Sequence, residues 1–178
     1  MDVLADQVEV LIEQYGTDIY RFCSRLCTNR SDAEDLYQKT FLKVLELSME
    51  LNRDGNPKAF LFSVTNGLWM NEVRKMARHS RIAPSVSLDD DNENLAAGQV
   101  DLESEVLARI RDGVLRRIME ELPEKFRIPV ILYYTCDVSL EEISKIMKKP
   151  VGTIKSRLHK ARSIIKKRLE EQGYEYEG

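Results

Sequence analysis

Ser139–Leu169, SLEEISKIMKKPVGTIKSRLHKARSIIKKRL, holds two helix-forming runs around one break. Ser139 followed by Glu142 forms a capping box, in which each side chain satisfies a free N–H at the helix start. Leu140, Ile143, Ile146 and Met147 give the first short helix an apolar face. Lys148-Lys149-Pro150-Val151-Gly152 ends it, because proline has no N–H and glycine accepts turn geometry. In the second run Ile154, Leu158, Ala161 and Ile165 recur at helical spacing. At ~100° per residue Lys155, His159, Lys160, Arg162, Lys166 and Lys167 fall away from that stripe. No acidic residue occurs from Lys148 to Arg168. A capped helix, a tight turn and a helix with a basic wet face suit insertion into a DNA major groove. A basic amphipathic helix also suits a membrane surface or a partner's groove, or is simply solvated, so this stretch alone leaves those readings open.

The flanking chain narrows them. The 178 residues allow one medium domain or two small ones, and 43% apolar content suffices for a core. No apolar run approaches the ~20 residues needed to span a bilayer. The N-terminus, MDVLADQVEV, lacks the regions of a signal peptide, so the chain is expected to be cytoplasmic, with no direct membrane insertion. The net charge of −3 hides a segregation: residues 1–105 carry 11 basic against 19 acidic residues, and residues 106–178 carry 16 against 11. The N-terminal part is therefore −8 and the C-terminal part +5.

Residues 4–28 read as a helix through Leu4, Val8, Leu11, Tyr15, Ile19, Phe22 and Leu26, with Gly16 as a soft spot or break. Cys23 and Cys27 lie one turn apart near this stripe. With no second pair or histidine to complete a zinc set, they read as core packing. Ser31-Asp32-Ala33-Glu34 looks like a second capping box, opening a helix to about Met49 with Leu36, Phe41, Val44, Leu45 and Ser48 inward. Asn56-Pro57 then caps a helix to about Arg81, rich in Phe60, Leu61, Phe62, Leu68, Trp69 and Met70, which the two helices before it should enclose. Its end turns basic: Arg74, Lys75, Arg78, His79 and Arg81, with Asn66 and Asn71 upstream, beside aromatic residues. This combination suits single-stranded or opened DNA, though cations also complement a helix C-terminus.

From Ile82 to Ala108 there is no lysine or arginine, while acidic residues, serines, Pro84 and Gly98 accumulate, which predicts an extended, solvated linker. A helix from about Leu102 to Leu122 follows, with Val114, Leu115, Ile118 and Met119 on its core face. A further helix, Ile128–Tyr134, precedes the pair at Ser139. The expected fold is thus all-α: two small helical domains, 1–82 and 105–170, joined by an acidic flexible linker, 83–104. The second ends in a helix-turn-helix, and a polar tail occupies 171–178. No catalytic set, phosphate-cradling loop or metal motif occurs, so the reading is of a non-enzyme with no cofactor and no metal.

Two motifs carry a resemblance. Asp32-Ala33-Glu34-Asp35-Leu36-Tyr37-Gln38-Lys39-Thr40-Phe41 resembles the core-binding helix of bacterial sigma factors of the extracytoplasmic-function class. Leu122-Pro123-Glu124-Lys125-Phe126-Arg127, with Ser139–Arg162, resembles their promoter-reading region. The resemblance implies a subunit that binds RNA polymerase core, at the clamp of the largest subunit and at the flap, and directs initiation at promoter DNA. It implies that Asp32, Asp35, Leu36, Gln38 and Phe41 contact core. Asn66, Asn71, Arg74, Lys75, Arg78 and Arg81 would hold the opened minus-ten strand. Thr153, Lys155, Ser156, Arg157, His159, Lys160 and Arg162 would read the minus-thirty-five element, with Arg157 and Lys160 placed for guanine edges. Departures from the family pattern are Gly67, Asn71 and Phe60 in the opened-strand region, and Ser144, Lys148 and Lys149 in the helix-turn-helix. Such factors are commonly held by an anti-sigma factor. The competing functions are a stand-alone helix-turn-helix transcriptional regulator and an adaptor that binds a protein through the 31–45 helix.

Overall fold

A computed structural model of the chain describes residues 3–47, 55–82 and 102–174, with side chains at 5–47, 55–80 and 112–174. The described elements are helices α1 (Val3–Leu26), α2 (Arg30–Glu46), α3 (Pro57–Ile82), α4 (Leu102–Glu121), α5 (Glu124–Val130), α6 (Leu140–Met147) and α7 (Val151–Glu171). A short π-helical turn, Ile131–Thr135, lies between α5 and α6. The expected linker, apart from its last residues in α4, and the end of the tail lie outside the described residues. Helix α4 begins at Leu102, three residues before the expected start of the second domain.

Helices α1, α2 and α3 pack on one another as a first bundle. Ile19, Phe22, Leu26, Val44, Leu61 and Phe62 are all but solvent-free there, and the rings of Phe22 and Phe62 stand 5.3 Å apart. Helix α1 runs unbroken through Gly16. The glycine leaves room for the Tyr37 hydroxyl of α2, which a Cβ there would meet at 2.9 Å and have to displace. Helix α2 starts two residues earlier than the Ser31 capping box predicts. The cap is Asn29, whose Oδ1 accepts from Asp32 N–H at 2.8 Å and whose Nδ2 donates to the Asp32 carboxylate at 2.9 Å. An asparagine at N-cap satisfies the orphan donor as well as serine does, so Ser31 is left on the surface. Helix α3 begins as expected, with Asn56 Oδ1 accepting from Ala59 N–H. Between α2 and α3 the buried hydroxyls of Thr40 and Thr65 lie 3.2 Å apart, each within reach of its own helix's carbonyl at Leu36 or Leu61. These buried polar atoms are therefore paired, as burial requires.

The second bundle centres on α7, which packs on α4, α5 and α6. Ile154, Leu158, Ala161, Ile165 and Leu169 are its buried stripe, as the spacing predicts. The Ser139–Glu142 capping box is formed in both directions. Lys148 closes α6 in the left-handed conformation, φ 55° and ψ 46°, normally a glycine's place. Leu115 and Leu45, both expected to face inward, are exposed.

The two bundles dock. Helix α3 packs on α6, and α1 packs on the π turn. The apolar residues of α3 that exceed one stripe are thus covered partly by the second bundle, not by α1 and α2 alone. Trp69 donates its indole N–H to Glu124 at 3.1 Å.

Candidate functional site

Three surfaces carry the chemistry. The first is the outer face of α2. Asp32, Asp35 and Gln38 are exposed there, but Leu36 and Phe41 are 5% and 6% exposed and belong to the core. Both pack in the core of the free chain, so the outer face of α2 is left to its exposed residues. The exposed stripe is Asp35, Gln38, Leu42 and Leu45, spaced three, four and three, with Leu42 60% exposed. Two leucines on a wet face beside a carboxylate and an amide make a surface that pairs apolar contact with directional polar contact. That spacing was present in the sequence; the inward assignment of Leu45 concealed it. Asp32 commits a carboxylate oxygen to Asn29, and Asp35 pairs with Lys39 at 2.8 Å, which holds the lysine's proton more tightly and raises its pKa.

The second surface is the C-terminal half of α3. Asn71, Arg74, Lys75 and Arg78 are exposed at spacings of three, one and three, so they share one side of the helix. Arg74 donates to Asn71 Oδ1 at 3.2 Å, and Lys75 pairs with Glu72 at 3.6 Å. Asn66 is half-buried, and its Oδ1 is solvent-free with no hydrogen-bond partner. A buried acceptor without a donor is costly, and an incoming N–H group would relieve it. The side chain of Arg81 lies outside the described residues.

The third surface is α7. Lys155, Ser156, His159, Lys160 and Arg162 are exposed, while Thr153 and Arg157 are half-buried. The buried stripe turns these residues outward, because a helix that packs one face on α4, α5 and α6 must present the other. Arg162 donates to the Tyr134 hydroxyl at 3.2 Å. Tyr134 and Tyr133 form an exposed edge-to-face pair that sequence reasoning missed, because it placed them within a regular α-helix.

The docked bundles bring a small part of the last two surfaces together. Asn66, Asn71 and Arg74 of α3 line one open cavity of 690 Å³ with Lys148, Lys149 and Arg157 of the helix-turn-helix. Lys43 and Lys125 add to its positive lining, and Glu124 is its one carboxylate among the described residues. The cavity is therefore electropositive.

Cys23 and Cys136 are buried and Cys27 is half-buried, and burial pushes each thiol up to about 12. They are inert core groups, not reactive thiolates. Among the described residues no cluster of three metal-ligating side chains occurs. No described helix is long and apolar enough to cross a membrane.

A family model for sigma-70 region 2 matches residues 11–79, and one for sigma-70 region 4 matches residues 112–165. The ECF RNA polymerase sigma factor SigW of Bacillus subtilis is 28% identical over 174 residues, covering 94% of this chain and 89% of its own length. SigE of Mycolicibacterium smegmatis is 31% identical over 160 residues, covering 88% of this chain and 59% of its own. The fold is similar to that of the sigma factor RpoE in its complex with the anti-sigma factor NepR from Bartonella quintana. The TM-score is 0.71 at 23% identity, over 91% of this chain and 98% of that one. CnrH, in complex with the cytosolic domain of CnrY, gives a TM-score of 0.64 at 17% identity, over 95% and 96%. The matched segments are the two bundles that carry these surfaces, and the chain belongs to the sigma-70 family of RNA polymerase sigma factors, in its extracytoplasmic-function class.

Proposed function

We propose that this sigma factor works in the cytoplasm as an alternative, signal-responsive factor, held by an anti-sigma factor until release, and that its three surfaces divide the labour of initiation. Residues 1–82 are the unit that binds core polymerase and the minus-ten element. Residues 105–170 read the minus-thirty-five element, 83–104 connect the two, and 171–178 are a tail. Helix α2 docks on polymerase core through Asp35, Gln38, Leu42 and Leu45. Helix α3 holds the opened strand with Asn66, Asn71, Arg74, Lys75 and Arg78. Phosphate contacts supply position and affinity there, while amide side chains meet base edges. Helix α7 enters the major groove. Lys155, His159 and Arg162 are placed for phosphates, and Arg157 and Lys160 for guanine edges.

The observation that carries this reading is that one chain holds two separate basic helices for DNA and a third, mixed apolar–acidic face that DNA cannot use. A stand-alone regulator leaves that face without a task. The relatives of known structure, bound to NepR and to CnrY, support control by an anti-sigma protein. The test is in vitro transcription with purified polymerase core on promoters selected by the reconstituted holoenzyme. A specific transcript that appears only when the chain is added supports the reading, and duplex binding without any promoter-dependent transcript overturns it. On the same templates Arg157→Ala is expected to relax selection at one upstream base pair, costing ~1–3 kcal/mol there. Uniform weakening across sequences would make Arg157 a phosphate contact.

A further inference from the structure

The cavity between α3 and the helix-turn-helix has walls of three kinds. Half-buried apolar side chains, Val64, Leu68, Met70 and Met147, make its floor. Exposed or half-buried cations stand around it: Arg74, Lys125, Lys148, Lys149 and Arg157, none of which forms an ion pair with a described residue. Its carboxylate, Glu124, is taken up by Arg127 at 3.1 Å and by the indole N–H of Trp69 at 3.1 Å. Asn66 completes the lining, with a buried Oδ1 that accepts from no donor. The departures from the family pattern gather at this place. Gly67, Asn71, Lys148 and Lys149 all line the cavity. Ser144 holds the turn that carries the two lysines: its hydroxyl donates to Lys149 O at 2.6 Å, and its carbonyl accepts the N–H groups of both. A Cβ on Gly67 would meet nothing within 4 Å, so that glycine answers no packing need and leaves the wall bare.

A ligand that satisfies all three walls carries several negative charges, a flat apolar body and an N–H donor. Lysine and arginine take phosphate oxygens through charge-assisted hydrogen bonds. A flat ring packs on methionine, whose sulfur makes favourable contacts with aromatic systems. An amine or ring N–H on that body supplies the donor that Asn66 lacks, and an unpaired buried acceptor is costly enough to reward it. Inorganic phosphate would leave Asn66 unpaired and the floor wet, and a fatty acid would set a single charge against several cations. The volume of 690 Å³ falls within the ~300–1,000 Å³ of small-molecule sites. The two fused rings of a purine cover more of the floor than a pyrimidine does. We propose that this cavity binds a purine nucleoside polyphosphate, with the base over Met70 and Met147, a base N–H on Asn66 Oδ1, and the phosphates on Lys148, Lys149 and Arg157. The site belongs to the free chain and does not depend on α3 or α7 contacting promoter DNA.

The chain has six methionines, so full-length protein labelled at the methionine methyls gives a short spectrum in which Met70 and Met147 report on the cavity. GTP, ATP and inorganic triphosphate are titrated at low salt, with calorimetry for affinity and far-UV circular dichroism to check that each variant is folded. Saturable binding of one purine nucleotide per chain, with ring-current shifts at Met70 and Met147 and none at Met76 or Met119, supports the site. Inorganic triphosphate should bind more weakly and give no ring-current shift. Asn66→Leu replaces the unpaired acceptor with an apolar group of similar size, and should weaken nucleotide binding up to about tenfold while leaving inorganic triphosphate unchanged. Lys148→Gly combined with Lys149→Ala should weaken both ligands severalfold. Lys166→Ala combined with Lys167→Ala, an equal loss of charge on α7 outside the cavity, should weaken neither. No saturable nucleotide binding by the folded full-length chain overturns the site. Equal affinity for nucleotide and inorganic triphosphate, or equal losses from the two lysine pairs, overturns it in favour of a diffuse polyanion surface. Nucleotide affinity unchanged by Asn66→Leu overturns the placement of the base. None of these readouts uses polymerase or DNA, so a failure of the sigma reading, seen as a missing promoter-dependent transcript, is separately visible.

Discussion

Lys148 pays for the turn between α6 and α7 with its backbone. Its left-handed conformation crowds the Cβ against the chain, at a cost of ~1–2 kcal/mol that glycine does not bear. Glycine loses more freedom on folding, ~0.5–1 kcal/mol. Lys148→Gly is therefore expected to raise stability by about 0.5 kcal/mol, read as a higher urea midpoint at unchanged slope. The sequence named this lysine as a departure from the family pattern, but its backbone angles follow from how α6 and α7 pack. The cysteines were legible as core residues because they fall on an apolar stripe. Their thiols ionise near 9 when unfolded and at about 12 when folded. Above pH 9 the unfolded chain binds fewer protons than the native one, so stability should fall between pH 9 and 12. Replacing Cys23, Cys27 and Cys136 with alanine, while lowering stability throughout, should flatten that fall. An unchanged slope would mean that other groups cause it. The cap at Asn29 was missed for a simpler reason: Thr28, Asn29, Ser31 and Asp32 can all cap, and periodicity does not choose among them.

Helices were legible wherever one face is buried. The stripe of α7 and the capping box of α6 stand as the spacing places them. The π turn was not legible. Pro129 sits inside α5, where it removes the N–H that would reach the Lys125 carbonyl, and the next turn widens until Cys136 N–H bonds Ile131 O. The inner and outer faces of α2 were only half legible, because apolar residues occur on both and a motif does not state which side a partner covers. The structure separates them, and the separation is measurable. Leu42→Glu and Leu45→Glu alter exposed positions and should leave stability within ~0.5 kcal/mol. Both are expected to weaken core binding about tenfold or more. Leu36→Ala removes a buried side chain and should cost ~2–5 kcal/mol of stability, with core affinity retained by the fraction that stays folded. If Leu42→Glu leaves core affinity intact, the outer face of α2 is not the docking face.

At the scale of the whole molecule, composition showed two oppositely charged parts, and nothing in it announced that they dock. Arg127 reads in sequence as the last residue of the Leu122–Arg127 motif of the second part. Only packing reveals that it leaves its own bundle to cap α1. Docking also has an electrostatic cost. Lys43 and Arg74 from the first bundle line the cavity with Lys125, Lys148, Lys149 and Arg157 from the second, and Glu124, already engaged by Arg127 and Trp69, is the one carboxylate there among the described residues. Like charges brought to opposite walls repel, and salt shortens that repulsion from a range of ~10 Å at 0.1 M to ~3 Å at 1 M. The contacts that close the molecule are less sensitive, because the Arg127 guanidinium is buried and its α1 partners are backbone oxygens. Added salt should therefore favour the closed chain, and the radius of gyration should fall as salt rises. Duplex binding should weaken over the same range, because salt opposes the release of counterions from DNA. A radius that does not change with salt would mean that charge across the cavity has no part in closure.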